Sequence, residues 1–212
     1  MASTVQLSTK AFVTKTEIRE AIFVDTSEVS RTDDELNTLY GFVNWVSDAL
    51  EAFIGAPIIQ KSVTEYNDGG GEYIFLTSLP VVTVSSVTEK GIALVAGTDY
   101  VYDPDYIAVR KITTADAYVA STFLTGSMAN KVIYVSGYGT QTRDGSNELT
   151  SVSLIPEDFK LAAYTWIQHL WAKGPQNYSP EQGEATGGRA AIPYAVKELM
   201  RNRIPQVHWI GS

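Results

Sequence analysis

The sequence predicts an α+β protein in which an α-helical body carries an inserted small antiparallel β-module, built as a sandwich or barrel. Apolar residues recur at helical spacing near both ends of the chain, and short β-branched or aromatic runs separated by turn residues lie between them. A chain of 212 residues is long enough for a main domain with a smaller annex. We therefore assign residues 1–57 and 139–203 to the helical body, 58–138 to the β-module, and 204–212 to an extended C-terminal tail.

A long N-terminal helix is predicted from about Thr32 to Ile54. Thr32, followed by three acidic residues, provides an N-cap and favourable charges at the positive end of the helix dipole. Gly55 ends the helix, and a shorter helix over about residues 16–23 precedes it. One apolar face follows from residues spaced mostly by three and four, namely Leu36, Leu39, Tyr40, Val43, Val46, Leu50, Phe53 and Ile54.

The central part of the chain reads as short strands joined by turns. The strand-like runs are 58–66, 72–77, 81–88, 100–102, 106–112 and 131–136, and 113–130 is predicted to be mainly a loop. The three consecutive glycines Gly69–Gly71 invite a phosphate-loop interpretation, but such a loop leads into a helix and is followed by Lys and Ser or Thr. Here an extended segment follows, so we predict a β-hairpin turn at Asn67–Gly70.

A second long helix is predicted near the C-terminus. Pro156, Glu157 and Asp158 favour its first turn, and Gly174 ends it after Ala172 or Lys173. Residues 141–148 before it are predicted to be a polar loop, residues 176–188 a mobile loop, and residues 193–202 a final short helix. The inward-facing side chains of the long helix are predicted to be Phe159, Ala162, Ala163, Trp166, Ile167 and Leu170.

Composition and charge exclude several classes of function. The chain has no cysteine, so disulfides, thiolate zinc sites and cysteine nucleophiles are excluded. Its formal net charge of −8 disfavours binding to DNA through phosphate neutralisation. No window is apolar enough for a membrane span, and the N-terminus does not have the pattern of a signal peptide.

Residues that could carry catalysis are few. Of the two histidines, His169 is expected to be a packed or surface residue of the second long helix, and His208 lies in the tail. Asp99, Asp103 and Asp105 could form an acid–base pair or attract calcium, but the EF-hand spacing is missing and a turn between two strands explains them better. We predict no catalytic residue, metal or cofactor, and hence a protein that is not an enzyme.

Some aromatic residues suggest contacts with other molecules. The tail places Val207, Trp209 and Ile210 beyond the last helix, where a solvated end is normally polar. The tail therefore either folds back onto its own body or docks on a neighbour. Trp45 and Trp171 stand beside the apolar stripes of their helices, and they serve either as subunit-interface anchors or as additional core.

The order of these elements resembles the head–tail connector (adaptor) proteins of tailed bacteriophages. The resemblance covers about residues 16–173 and depends on the order of its motifs, since each alone is of low specificity. The motifs are Leu36 through Phe53-Ile-Gly-Ala-Pro57, Glu65-Tyr-Asn-Asp-Gly-Gly-Gly71, Leu79-Pro-Val-Val-Thr-Val-Ser-Ser-Val87, Gly97-Thr-Asp-Tyr100, Val132-Ile-Tyr-Val-Ser-Gly-Tyr-Gly139 and Ile155-Pro-Glu-Asp-Phe-Lys-Leu-Ala162.

The resemblance implies a structural virion protein, assembled in the host cytoplasm, that forms a ring of identical subunits beneath the portal. The ring, usually a dodecamer, would extend the channel through which double-stranded DNA passes without specific binding. It would also dock the tail through a terminator, stopper or tail-tube protein. By the same analogy the tail contacts the portal through Ile204, Val207, His208, Trp209 and Ile210, with Trp209 as the anchor. The alternatives are another virion protein, such as a tail completion or decoration protein, and a small hydrolase that uses Asp99, Asp103 and Asp105.

Overall fold

The computed structural model describes residues 5–23, 32–113, 120–173 and 192–203. Within these ranges the chain combines α-helices with antiparallel sheets, as predicted. The chain divides into two compact units: the terminal unit, Met1–Ile59 with Gly139–Ser212, and the inserted unit, Gln60–Tyr138. No helix in the described part of the chain is long and apolar enough to cross a membrane.

Among the residues that the structure describes, the helices all belong to the terminal unit. They are α1 (Lys15–Ile22), α2 (Asp33–Ile54), α3 (Glu157–Ala172) and α4 (Tyr194–Met200), which continues into a 3-10 turn at Arg201–Arg203. Thr32 caps α2, and a capping box joins its side chain to Glu35. Gly55 ends α2 in a left-handed conformation (φ 73°), and all six side chains predicted to face inward on α3 are buried. The predicted helix signals are confirmed at these positions.

The strands β1 to β7 form the inserted unit. They are β1 (Lys61–Asn67), β2 (Tyr73–Phe75), β3 (Val81–Glu89), β4 (Ile92–Leu94), β5 (Tyr100–Asp103), β6 (Ala108–Lys111) and β7 (Asn130–Ser136). A four-stranded sheet has the order β1-β7-β3-β4, and a three-stranded sheet has the order β2-β6-β5. Side chains from both sheets contribute to one buried cluster, which contains Ile74, Leu76, Val87, Tyr100, Val109, Phe123, Val132 and Tyr134.

The glycine segment corrects one prediction. Gly69 and Gly70 adopt positive φ, as a turn requires, but β1 pairs with β7 and β2 pairs with β6, so no β1–β2 hairpin forms. The segment pairs instead with a later stretch of chain, because Gly70 N donates to Phe123 O at 2.9 Å and Phe123 N donates to Gly71 O at 2.9 Å. The glycines carry the chain from one sheet to the other.

The predicted polar loop at residues 141–148 is also corrected. The terminal unit contains an antiparallel hairpin here, formed by β8 (Thr140–Arg143) and β9 (Leu149–Ser153). Contacts distant in sequence stabilise it: the Arg143 guanidinium donates to Leu7 O at 3.0 Å and to Ser8 O at 2.5 Å. Polar strands of this kind carry little periodic signal, so a loop was the natural interpretation of the sequence.

Candidate functional site

The residues that could have carried catalysis act as turn residues. Asp99 Oδ2 accepts a hydrogen bond from Val95 N at 2.8 Å, and Asp103 Oδ1 accepts one from Asp105 N at 3.1 Å. These bonds fix the turns before β5 and between β5 and β6. The described residues contain no group of three or more acidic or histidine side chains that could hold a metal ion. His169 lies exposed on α3, and His208 lies outside the described residues.

Trp45 lies half-buried on α2. Its ring makes an edge-on contact with the buried Trp166 of α3, with centroids 5.1 Å apart and an interplanar angle of 76°. One part of the indole therefore stabilises the packing of α2 on α3, and another part remains accessible to solvent. The contact with Trp166 shows the internal packing of Trp45, and its role as a subunit anchor stays a prediction.

Trp171 occupies the last turn of α3. Its ring makes an edge-on contact with Phe23, at the end of α1, with centroids 5.6 Å apart. Trp171 is also half-buried, so its role as a subunit anchor stays a prediction.

The predicted portal-contact residues Ile204, Val207, His208, Trp209 and Ile210 all lie outside the described residues. The structure describes the chain as far as Arg203. The guanidinium of Arg203 forms an ion pair with Asp158 at 2.7 Å, and it lies 5.8 Å from the centroid of the Phe159 ring. Arg203 therefore lies beside the first turn of α3.

The solvent-facing side of α2 forms a continuous stripe, which we call the α2 stripe. Its members are spaced alternately by four and three residues, so they lie along one side of the helix: Asp34, Thr38, Gly41, Trp45, Asp48 and Ala52. The opposite side carries the buried residues Leu39, Val43, Val46 and Leu50. The stripe thus presents a half-buried indole among small residues, with an exposed carboxylate on either side of it.

The four-stranded sheet of the inserted unit has an outer face of unusual composition, which we call the hydroxyl face. Val132 and Tyr134 of β7 are buried, so the alternating residues Lys131, Ile133 and Val135 face outward. The pairing register places on the same face Ser62, Thr64 and Tyr66 of β1, Thr83, Ser86 and Thr88 of β3, and Ala93 of β4. The face contains no acidic residue, and Lys131 is its one charged residue.

The three-stranded sheet presents an aromatic cluster on its own outer face. Tyr73 stacks on Phe75 with centroids 6.2 Å apart, and the Tyr106 ring lies 5.3 Å from Tyr73. Arg110 lies over the Tyr73 ring and is paired with Glu72. Aromatic and arginine side chains are enriched in protein–protein contacts, so this cluster is a second candidate surface of the inserted unit.

Ionisable groups in both units are held by local contacts. Burial raises the pKa of Glu17, but hydrogen bonds from Lys160 and Thr14 outweigh burial and hold this pKa below its ordinary value. Burial, followed by the hydrogen bond to Glu65, raises the pKa of the Tyr134 hydroxyl. Burial and the nearby acids raise the pKa of Tyr164 to about 12. The Glu17–Lys160 contact stabilises packing in the terminal unit, and the Tyr134–Glu65 contact does so in the inserted unit.

Comparison with known proteins shows which solved structures share this fold. No family model and no curated protein matches the chain. Among solved structures, the chain shares its fold with chains of gene transfer agent (GTA) particles, over the whole of its length.

Three of these structures illustrate the similarity. One is the neck of an empty GTA particle computed with C6 symmetry, with 16% identity and a TM-score of 0.60 over 100% of this chain and 98% of the other. Another is the virion of a native GTA particle, with 18% identity and a TM-score of 0.58 over 100% and 99%. The third is the neck of a native GTA particle computed with C12 symmetry, with 16% identity and a TM-score of 0.55 over 100% and 98%. At these identities the similarity establishes the fold alone.

Proposed function

We propose that this protein is a structural, non-enzymatic subunit of the neck of a phage-like particle, and specifically a head–tail connector. The observation that carries the proposal is the shared fold with chains from the necks of GTA particles, which extends over 100% of this chain and 98% of each neck chain. Because the match spans both chains almost completely, it includes the helices and the inserted sheets together. The order of motifs in the sequence supports the same class independently.

The proposed assembly is a ring, for which we favour twelve copies. The symmetry stated for the neck structures, C6 and C12, is that of rings of repeated subunits. A net charge of −8 on each chain suits a channel wall, because an acidic wall does not retain the phosphates of passing double-stranded DNA. We place the ring beneath the portal, in the neck of a virion assembled in the host cytoplasm.

Each part of the chain has a role in this proposal. Residues 1–57 and 139–203 form the helical body, and residues 58–138 form an inserted β-sandwich. Trp45 and Trp171 contribute to contacts between subunits. The tail contacts the portal through Ile204, Val207, His208, Trp209 and Ile210, and the opposite side of the ring receives a terminator, stopper or tail-tube protein.

Electron microscopy of the purified protein mixed with cognate portal-bearing heads tests the proposal. We expect a ring at one vertex of each head, and we expect deletion of residues 207–212 to abolish attachment. A persistent monomer by native mass spectrometry, in the presence of the portal as well, would contradict the connector function. Attachment at sites distributed over the capsid surface would favour a decoration protein instead.

A further inference from the structure

We propose that the hydroxyl face of one subunit packs on the α2 stripe of the next subunit, and that this pair of surfaces closes the ring. The inference rests on the proposed ring function and adds to it the identity of the two contacting surfaces. A head-to-tail ring requires two different patches on each subunit that complement each other. The described residues offer one such pair, with one patch in each compact unit.

Charge is the first argument for the pair. Copies of a chain with a net charge of −8 repel one another, so association is favoured where at least one of the surfaces lacks carboxylates. The hydroxyl face meets this condition, and Lys131, near the start of the interior strand β7, gives it a positive charge. The α2 stripe carries the exposed carboxylates of Asp34 and Asp48. Lys10 Nζ lies 3.4 Å from Asp48 Oδ1 in an exposed pair, so Asp34 is the stronger electrostatic complement of the hydroxyl face.

Apolar contact is the second argument. Ile133 and Val135 lie half-exposed on β7, an interior strand of its sheet, and are surrounded by hydroxyl side chains. This arrangement, an apolar centre within a polar rim, is typical of an interface. Trp45 occupies the centre of the α2 stripe, and an indole of this kind is the common anchor of protein–protein contacts.

Shape is the third argument. From Asp34 to Asp48 the α2 stripe is about 21 Å long at 1.5 Å per residue. The six steps from Asn130 to Ser136 in β7 span about 20 Å at 3.3 Å per step, so β7 is about as long as this part of the stripe. A Cβ added at Gly41 would meet no atom within 4 Å, so the space above this glycine is open to a neighbouring subunit. Gly41 and Ala52 therefore leave room on the stripe for the sheet to approach closely.

A solvated outer face of an antiparallel sheet is the alternative explanation for the threonines and serines. The two explanations differ in the effect of charge. On a solvated face, Lys131→Glu should leave assembly unchanged. In the proposed interface, it places a carboxylate opposite the carboxylates of the α2 stripe.

Charge reversal is the first test. We expect Lys131→Glu to weaken ring formation at least tenfold in native mass spectrometry, and we expect Lys131→Glu with Asp48→Lys to recover much of it. Lys90→Glu is the matched control, because Lys90 is exposed in the turn between β3 and β4. This substitution changes the net charge by the same amount as Lys131→Glu. Normal rings from Lys131→Glu, or an equal loss from Lys90→Glu, would overturn the interface.

Cross-linking is the second test. Because the chain has no natural cysteine, only the introduced thiols can react. Thr64→Cys and Ala52→Cys in one chain introduce one thiol on each proposed surface, both at exposed positions. A short bismaleimide should then produce a ladder of covalent oligomers, while each single variant should stop at dimers. Two outcomes would reject this interface without affecting the connector function. One is normal rings that give no ladder of cross-linked oligomers. The other is Lys131→Glu rings that assemble normally but alter DNA retention. Failure of the wild-type chain to form rings or to attach to heads would reject the connector function itself.

Discussion

Glu89 and Lys111 form a buried ion pair that joins β3 of one sheet to β6 of the other, with Lys111 Nζ 2.7 Å from Glu89 Oε2. Glu89 is 8% exposed, and its other oxygen accepts a hydrogen bond from Leu124 N at 2.7 Å. One carboxylate thus connects both sheets of the inserted unit and the segment after β6.

Removing this carboxylate should destabilise the inserted unit strongly. We expect Glu89→Gln to cost about 3 kcal/mol, because it leaves the Lys111 ammonium buried without its counter-charge. Hydrogen exchange is the suitable measurement, since the four tryptophans lie at positions 45, 166, 171 and 209, outside the inserted unit. Glu89→Gln combined with Lys111→Met should recover part of the loss, and a double variant less stable than Glu89→Gln would contradict this account.

Gly69 should not tolerate a side chain. An added Cβ would collide with Leu124 O and Asn130 Nδ2, and the backbone is left-handed at φ 73°. Gly91 provides the control, since it is also left-handed (φ 84°) but has open space around its Cβ position. We expect Gly91→Ala to cost about 1 kcal/mol of backbone strain and Gly69→Ala clearly more, measured by thermal unfolding followed by circular dichroism. Equal losses would show that the close approach at Gly69 is unimportant.

The contact between Glu17 and Lys160 should make the terminal unit sensitive to acid. Because the pKa of folded Glu17 is lowered, its contribution to stability is present above the ordinary carboxyl pKa and is lost as pH falls through the folded pKa. We expect Glu17→Gln to cost about 1 kcal/mol at pH 7, a decrease in Tm of about 2–4 °C.

Tryptophan fluorescence measures this effect in the unit where Trp45, Trp166 and Trp171 lie. The difference in Tm between wild type and Glu17→Gln should shrink as pH falls below about 4. Glu20→Gln, an exposed change on the same helix, is the control and should have little effect at either pH. A difference that is independent of pH would exclude an electrostatic origin.

The Arg143 guanidinium should hold the N-terminal segment in place. It donates to the carbonyl oxygens of Leu7, Ser8 and Asn147, and the planar fork of donors makes this arrangement possible. We expect Arg143→Lys to raise hydrogen exchange at least tenfold in peptides covering residues 5–13, since each lost bond contributes about 1 kcal/mol. The exposed Arg201→Lys is the matched control. Unchanged protection in Arg143→Lys would show that buried apolar side chains and the hydrogen bonds from Asn37 and Asn44 hold the segment without Arg143.

Local signals in the sequence account for the parts of the fold that were predicted correctly. The signals for α2 are local: Thr32 with its following acids, the apolar spacing along the helix, and the glycine at position 55. The sequence alone therefore predicts this helix and its two ends. Strands β3 and β7 are rich in β-branched residues, and they were located for the same reason.

Strand pairing could not be obtained in this way. The hairpin predicted at Gly69 failed because β1 pairs with β7, more than sixty residues away, and no local pattern records that choice. Strands β4, β8 and β9 were missed because they are short or polar. The hydroxyl face was missed for a related reason: it brings together residues of four strands, and only the register shows that they share a face. Trp45 stands out in the sequence because it lies beside the apolar stripe of its helix, and its role between subunits stays a prediction.

The two ends of the inserted unit meet at one place, since Lys61 at the start of β1 pairs with Ser136 at the end of β7. In the terminal unit, Ile59 and Gly139 are bridged directly to each other. The chain thus leaves the terminal unit and returns to it through neighbouring backbone segments. This geometry permits the inserted unit to be replaced by a segment of different length.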